Sequence, residues 1–387
     1  MPVVEAEWIS RRETQTLYSV LHSSGFEAYA VGGCVRDSLL RMPVKDIDFS
    51  TNARPEDVIS IAEKHGFRAV PTGINHGTVT VLIDSAVFEV TTFRKDIETD
   101  GRHAVEEFSN VIADDASRRD FTINALYAAK DGFVVDPLGG MPDLIARRIR
   151  FIDNAETRIR EDHLRSLRFF RFHAWYANNE DGLDPNALDA IAGNIEGVLS
   201  LSRERVGSEL LRLLAAKDPS LAVAGMDSVG LLHALLPGSD KRALAPLAFL
   251  ESEFDVPPDP LRRLSSLGGV QISDRLRLSR NQANHLRILS EAILMNSKEA
   301  AFRFGSEIAF DSVLLQAATL GQQIHSDPRP ELAVAARQTF PISASELMPR
   351  FEGNELGRAL RKLERLWIES DFTLDRAELL KRVAEEG

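Results

Sequence analysis

Residues 28–51 read AYAVGGCVRDSLLRMPVKDIDFST, and the rest of the chain is best understood outward from them. Glu27–Val31 has the pattern of a short strand. Gly32-Gly33 ends it and opens a helix through Leu40, and Asp46–Thr51 reads as a second strand. Asp46 and Asp48 flank Ile47, and because side chains alternate along a strand, both carboxylates are expected on one side. Neighbouring carboxylates repel unless a cation neutralises them. Mg2+ takes oxygen ligands, typically one or two carboxylates completed by substrate phosphates. Two such ions about 4 Å apart would activate an attacking hydroxyl and stabilise a leaving pyrophosphate. The glycine pair suits the same chemistry, because glycine lets backbone approach a phosphate closely and helix N-terminal amides attract anions. Gly33 opens the helix and Arg36 lies one turn in, in position to meet a triphosphate. The plain alternatives are a solvated acidic edge and an ordinary strand-to-helix turn with Arg36 paired to a surface acid. The G-x-G-x-x-G spacing of a dinucleotide site is absent.

Outward from this stretch, residues 10–24 read as a helix ended by Gly25, and Pro55–His65 as another. Thr78–Ile83 and Val87–Phe93 are β-rich runs around a turn, the best hairpin signal in the chain. Glu89 sits inside the second run, as a third active-site acid or as the outward face of an alternating strand. Residues 94–107 are charged and poor in apolar side chains, which predicts a mobile loop. Phe133–Val135 is a last short strand before the break Asp136-Pro137-Leu138-Gly139-Gly140. After about residue 153 strand signals fade, and apolar residues recur at helical spacing, as in Leu356, Leu360, Leu363 and Trp367. An α+β head with a small mixed sheet, followed by an all-helical remainder, is the expected architecture.

Glu161–Arg171 (EDHLRSLRFFR) reads as one strong helix with Arg165, Arg168 and Arg171 on a broad face and Asp162 one turn before Arg165. A salt-bridged solvated face is the plain explanation. The chemical one is more specific. Cytosine and adenine both place an amine donor beside a ring-nitrogen acceptor, so a carboxylate and an arginine side by side would accept them and reject uracil and guanine. Asp162 with Arg165 would read the base, while Arg168 and Arg171 hold phosphates or orient it.

The bulk properties set limits. The 387 residues suffice for two or three domains, with 44% hydrophobic and 27% charged residues. A single cysteine, Cys34, excludes an internal disulfide and a multi-cysteine zinc site. No leader pattern is visible in Met1–Arg12 and no run approaches a membrane span, so no membrane partner and a cytoplasmic location are expected. The formal net charge of −12 speaks weakly against nucleic-acid binding, but an acidic catalytic cluster and a local basic groove can share one chain. On the predicted helix 354–368, Arg358, Arg361 and Arg365 line the face opposite the leucines and would contact RNA phosphates, or else form a solvated amphipathic face.

Gly32-Gly33-Cys34-Val35-Arg36-Asp37 followed by Asp46-Ile47-Asp48 resembles the signature of the nucleotidyltransferase superfamily. Arg118-Arg119-Asp120-Phe121-Thr122-Ile123-Asn124-Ala125-Leu126 resembles its second motif, Glu161-Asp162-X-X-Arg165 a third, and Arg203-Glu204-Arg205 before Leu210-Leu211 the next. Together they are similar to the class II branch, the bacterial and eukaryotic-type CCA-adding enzymes and bacterial poly(A) polymerases. That resemblance implies a polymerase-beta-like head over residues 1–140, a helical neck over 141–215, and a helical body and tail over 216–387 that binds tRNA. It implies Asp46 and Asp48 as holders of two Mg2+ ions, Gly33 and Arg36 at the triphosphate, and Arg119 on the nucleotide. Asp162, Arg165, Arg168 and Arg171 would form the base-reading face for CTP and ATP. The stretch Asp100-Gly101-Arg102 resembles the family's flexible loop, implicated in the change from C to A addition. No paired His-Asp motif appears among the nine histidines, so no phosphohydrolase activity is expected. A poly(A) polymerase using ATP alone would share every motif named. A non-catalytic RNA-binding protein on the same fold would not be expected to keep Asp46, Asp48, Arg36 and Asp162 intact.

Overall fold

The computed structural model describes residues 2–99, 104–348 and 350–385. It divides into two compact units: residues 1–213 with 221–235, and residues 214–220 with 236–387.

Among the described residues, all the strands lie in the first unit. A seven-stranded sheet holds β1 (Ala28–Val31), β2 (Asp48–Thr51), β3 (Arg68–Gly73), β4 (Thr78–Ile83), β5 (Ala86–Thr92), β8 (Tyr127–Ala128) and β9 (Val134–Val135) in the order β3-β4-β5-β2-β1-β8-β9. The sheet is mixed, because β2 runs parallel to β5 while the other neighbours are antiparallel. β6 (Arg94–Thr99) and β7 (Ala104–Phe108) form a separate two-stranded ribbon. Alternation decides the sheet's two faces. Phe49 on β2 and Phe88 on β5 point into the core, where Phe49 meets Tyr18 edge-on at a centroid distance of 4.8 Å. Tyr18 belongs to the Arg12–Ser23 helix, and its hydroxyl donates to the Ala128 carbonyl (2.7 Å) and accepts from the Ala30 amide (3.0 Å). That phenol locks the helix to β1 and β8 without leaving a buried polar group unmet. The opposite face of β2 presents Asp48 and Ser50.

The hairpin expected at 78–93 is present as β4 and β5. Three expectations are corrected. Asp46 lies outside β2, which begins at Asp48: the partner strand β1 ends at Val31, opposite Asp48, because the chain turns into the helix at Gly32. The 94–107 segment is a β-ribbon rather than a loop on either side of residues 100–103. Its registers include Arg94 opposite Phe108 and Lys95 opposite Glu107, with a 2.9 Å ion pair between exposed Lys95 and Glu107. Its sequence is charged and shows no apolar alternation, which is why it read as a loop. Residues Asp100, Gly101, Arg102 and His103 lie outside the described residues. Finally, Glu161–Arg171 is not one helix. One helix spans Ala155–Glu161 and the next Leu164–Tyr176, with Asp162 extended between them (φ −148°, ψ 103°).

The second unit is helical throughout its described residues, with two apolar clusters. One gathers Leu247, Leu289, Leu314 and Leu332, the other Leu347, Leu363, Trp367 and Leu379. Charge is also buried here. Glu251, 2% exposed, accepts from Arg262 at 2.8 Å and from Arg263 at 2.7 Å; Arg262 also reaches Asp311 (2.7 Å), and Arg263 donates to the carbonyls of Leu214, Ala216 and Lys217. Removing one member of such a set strands buried charge at a cost of about 3–5 kcal/mol. Glu251→Ala should therefore lower the stability of the transition that unfolds this unit by about that much, read from urea midpoints. A shift below about 1 kcal/mol, the value of an exposed pair, would contradict the assignment.

Candidate active site

The site grows from the end of β1. Gly32 has φ +72°, a conformation side chains rarely adopt, and a Cβ there would lie 3.3 Å from the Arg119 Nη1. The turn thus brings the helix Gly33–Leu39 off the strand with Arg119 packed against it. Asp48 lies opposite Val31 on one side and, in the parallel register, opposite Glu89 on the other. Asp48 is half-buried, Glu89 and Asp46 are exposed, and Asp48 and Glu89 share the sheet face away from the Phe49–Phe88 core. Burial pushes the Asp48 carboxyl up to about 6, helped by the charges of Glu89 and Asp46 and opposed by Arg119.

Beneath this edge lies Asp115, fully buried, which accepts from Arg118 (2.9 Å), Arg119 (2.9 Å), Tyr127 (2.8 Å) and Ser50 (3.1 Å). Burial alone would raise its carboxyl, but Arg119 and Arg118 hold it well below the usual range. Asp115 anchors Arg119 beside Asp48. It stands three and four residues before the two arginines, a helical spacing that would have found it in the sequence.

Arg36 is buried beside the glycine turn, its Nη2 3.7 Å from where a Cβ on Gly33 would stand. It is 6% exposed, and its Nε, Nη1 and Nη2 donate to Asp37 (2.8 Å), the Asn124 side-chain carbonyl (2.5 Å) and the Tyr176 hydroxyl (2.7 Å). Its guanidinium also lies over the Tyr176 ring at 4.0 Å. Asn124 in turn donates to Asp120 (2.8 Å), and Asp120 accepts from Arg168 (2.7 Å). A polar chain therefore runs from the Gly33–Leu39 helix to the Leu164–Tyr176 helix.

Each arginine of the latter helix has its own carboxylate. Arg165 donates to Glu161 (2.6 Å) and to the carbonyls of Arg158 and Arg118; Arg168 pairs with Asp120, and Arg171 with Glu209 (2.6 Å). Arg36, Arg168 and Arg171 crowd around the Phe172 ring at 4.5–5.3 Å. Asp162 is not paired with Arg165. It sits in the break before the helix, where its Oδ1 accepts from the Leu164 amide (3.1 Å) and both oxygens accept from Arg205 Nη2 (3.1 and 3.2 Å). Arg205 and Asp120 appeared in the sequence only inside motifs, and Glu209 and Tyr176 in none, since their partners lie far along the chain. In the second unit, Arg358, Arg361 and Arg365 are exposed on the helix Gly353–Glu369, whose buried side carries Leu363, Trp367 and Ile368.

Residues 28–150 match the family model of the poly(A) polymerase head domain, and residues 182–242 that of a probable RNA- and SrmB-binding site of polymerase A. The mitochondrial CCA tRNA nucleotidyltransferase 1 of Danio rerio is 30% identical over 389 residues, covering 95% of this chain and 90% of the relative. The chain belongs to the family of CCA-adding enzymes and poly(A) polymerases. The CCA-adding enzyme of Leuconostoc citreum is 40% identical over 214 residues, spanning 55% of this chain and 52% of that one. The crystal structure of the Bacillus stearothermophilus CCA-adding enzyme in complex with CTP aligns with a TM-score of 0.68 and 26% identity, covering 97% of this chain and 98% of that one.

The family implies a divalent metal, and the donor set here fits one. Among the described residues no three His, Cys, Asp or Glu side chains already close around a single point. What the edge offers is a carboxylate pair, Asp46 and Asp48, with Glu89 alongside; burial first, and then the charges of Glu89 and Asp46, keep Asp48 hard to ionise. A hard cation whose other oxygens come from phosphate would offset those charges.

Asp120 supplies a pH test away from the metal acids. Burial alone would raise its carboxyl, but Arg168 and the Asn124 amide outweigh it and hold it at about 2. A depressed carboxyl contributes stability above its unfolded value, 3.8, and loses that contribution as pH falls toward about 2. Thermal melts of the full chain should therefore lose stability across this window. Asp120→Asn should melt lower at pH 7 and show a shallower acid slope; an acid slope equal to that of the unaltered chain would exclude Asp120 as a source.

Proposed function

We propose that this protein adds C, C and A to the 3′ end of tRNA, taking them from CTP and ATP without a nucleic-acid template. The observation that carries the reading is the register that sets Asp48 beside Glu89 on one sheet face, next to the Gly32-Gly33 turn and Arg119. Membership of the CCA-adding family supplies the substrate class.

In this reading the 3′ oxygen of tRNA attacks the α-phosphorus of the nucleotide, its bond to the β-phosphate bridge breaks, and pyrophosphate leaves. Asp46 and Asp48 hold divalent ions, Mg2+, with Glu89 as a third acid. Bound there, the ions would lower the pKa of the attacking hydroxyl and neutralise the leaving group. The backbone of the Gly32-Gly33 turn receives the triphosphate, with Gly33 at the helix start. Arg119, fixed by Asp115 and Tyr127, adds positive charge beside Asp48. Arg36, beside Gly33, meets the triphosphate there and also holds the turn's helix to the Leu164–Tyr176 helix. Asp162 accepts the exocyclic amine of cytosine or adenine, and Arg165 donates to the ring nitrogen. Arg168 and Arg171 keep the reading face in shape. Head (1–140), neck (141–215), and body with tail (216–387) divide the work into transfer, base selection and tRNA grip, the last using Arg358, Arg361 and Arg365. No helix among the described residues is long and apolar enough to cross a membrane, and we place the activity in the cytoplasm.

Three tRNA transcripts, ending before the tail, after one C and after two Cs, test this with CTP and ATP singly and together. Products should stop at a complete C-C-A. A long adenosine ladder on any RNA, with CTP ignored, would make the chain a poly(A) polymerase. Asp46→Ala and Asp48→Ala should each cut transfer by more than about 100-fold while tRNA binding stays near the unaltered value; near-normal turnover would remove the metal assignment. Replacing Arg358, Arg361 and Arg365 together with Gln should weaken tRNA binding at least about tenfold, and unchanged affinity would place the grip elsewhere.

A further inference from the structure

The carboxylate of Asp162 hangs from a two-residue break, Asp162-His163, between the helices Ala155–Glu161 and Leu164–Tyr176. Such a short bridge has few ways to hold one geometry, so whatever fixes His163 also fixes Asp162. The ring of His163 lies against Gly197, in the short helix Ile195–Leu199. A Cβ built on Gly197 would fall 2.2–2.4 Å from three ring atoms of His163, Cε1, Nδ1 and Nε2, closer than any real contact. Gly197 lies in an ordinary helix outside the positive-φ region, so backbone freedom does not account for it. A glycine inside a helix destabilises it relative to alanine. The close approach of the ring is the feature that requires it here.

We propose that Gly197 is a positioning residue for nucleotide selection: it seats the His163 ring, and the seated ring sets the aim of Asp162. The proposal rests on the reading of Asp162 as the base-reading carboxylate. Gly197 itself touches no nucleotide in this scheme. Its effect passes through one side chain and one peptide unit. The seat complements the Arg205 contact, which holds the carboxylate from the other side. Asp162 and Arg205 are 36% and 50% exposed, so their pairing adds little to stability and leaves orientation as its main effect.

The test uses the full chain and a competition readout, the ratio of kcat/KM for CTP over UTP on a tRNA transcript lacking the tail. Partial misfolding scales both terms equally and leaves that ratio unmoved, so a purely structural role is silent in it. Gly197→Ala should lower the ratio about tenfold or more, because the new methyl displaces the ring. In Gly197→Ala/His163→Ala the obstructing ring is gone, and the ratio should return at least to that of His163→Ala alone. A Gly197→Ala ratio equal to the unaltered protein's, or a double variant below His163→Ala alone, would overturn the proposal. Should Gly197→Ala fail to fold, His163→Ala alone decides: a lowered ratio supports the seat and an unchanged one removes it. Asp162→Ala is run in parallel. If it leaves the ratio unchanged, the base-reading assignment itself falls. If it lowers the ratio while Gly197→Ala does not, only the seat falls.

Discussion

A guanidinium cut off from water dictates much of the first unit. Arg36 is buried, and a buried cation without partners costs several kcal/mol. Its partners therefore cannot drift: the Asp37 carboxylate, the Asn124 carbonyl, the Tyr176 hydroxyl, and the ring faces of Phe172 and Tyr176. Those groups come from three separate stretches of chain. By holding them, Arg36 ties the helix that follows the glycine turn to the helix that carries the arginine ladder. Asn124 and Asp120 continue the chain to Arg168, so one run of polar contacts joins the helix after the glycine turn to the arginine ladder.

The acidic edge follows the opposite logic. Asp48 is half-buried beside Asp46 and Glu89; burial and their charges outweigh Arg119 and hold its carboxyl at about 6. Asp115, deeper in the fold and better provided with donors, is driven the other way. Two neighbouring aspartates thus have opposite ionisation behaviour. The fold has committed its cations to the structural acid and left the surface acids under-compensated, where bound metal and phosphate would complete them.

Much of this was legible in the sequence. The 78–92 hairpin showed itself by alternation, and the Gly32–Asp37 and Asp46–Asp48 stretch by spacing, because both depend on near neighbours. The illegible parts depend on distant ones. The break at Asp162-His163 is invisible locally, since the arginine periodicity runs smoothly back through Asp162. It exists because the Asp162 side chain caps Leu164, Arg205 reaches it from 43 residues on, and His163 lodges against Gly197. The burial of Arg36 needed Tyr176, 140 residues away. β3 and β8 went unnoticed because their paired stretches are short or half-exposed, and the 94–108 ribbon because its charged sequence lacks apolar alternation.

The paired arginine ladder bears on how the two substrates are attracted. Arg165, Arg168 and Arg171 each lie against a carboxylate, so the reading face carries almost no net field beyond contact distance. A nucleotide base arriving there is judged by hydrogen-bond shape, and dissolved ions that screen charge over about 10 Å have little to screen. The arginines at 358, 361 and 365 are exposed, Arg358 lying 3.9 Å from the exposed Glu355, and a polyanion is their proposed partner. Selection of the base and retention of the RNA would then respond separately to ionic strength. Under the proposed function, a chain with a net charge of −12 can work on RNA this way: exposed cations attract it, and the choosing surface is electrostatically quiet.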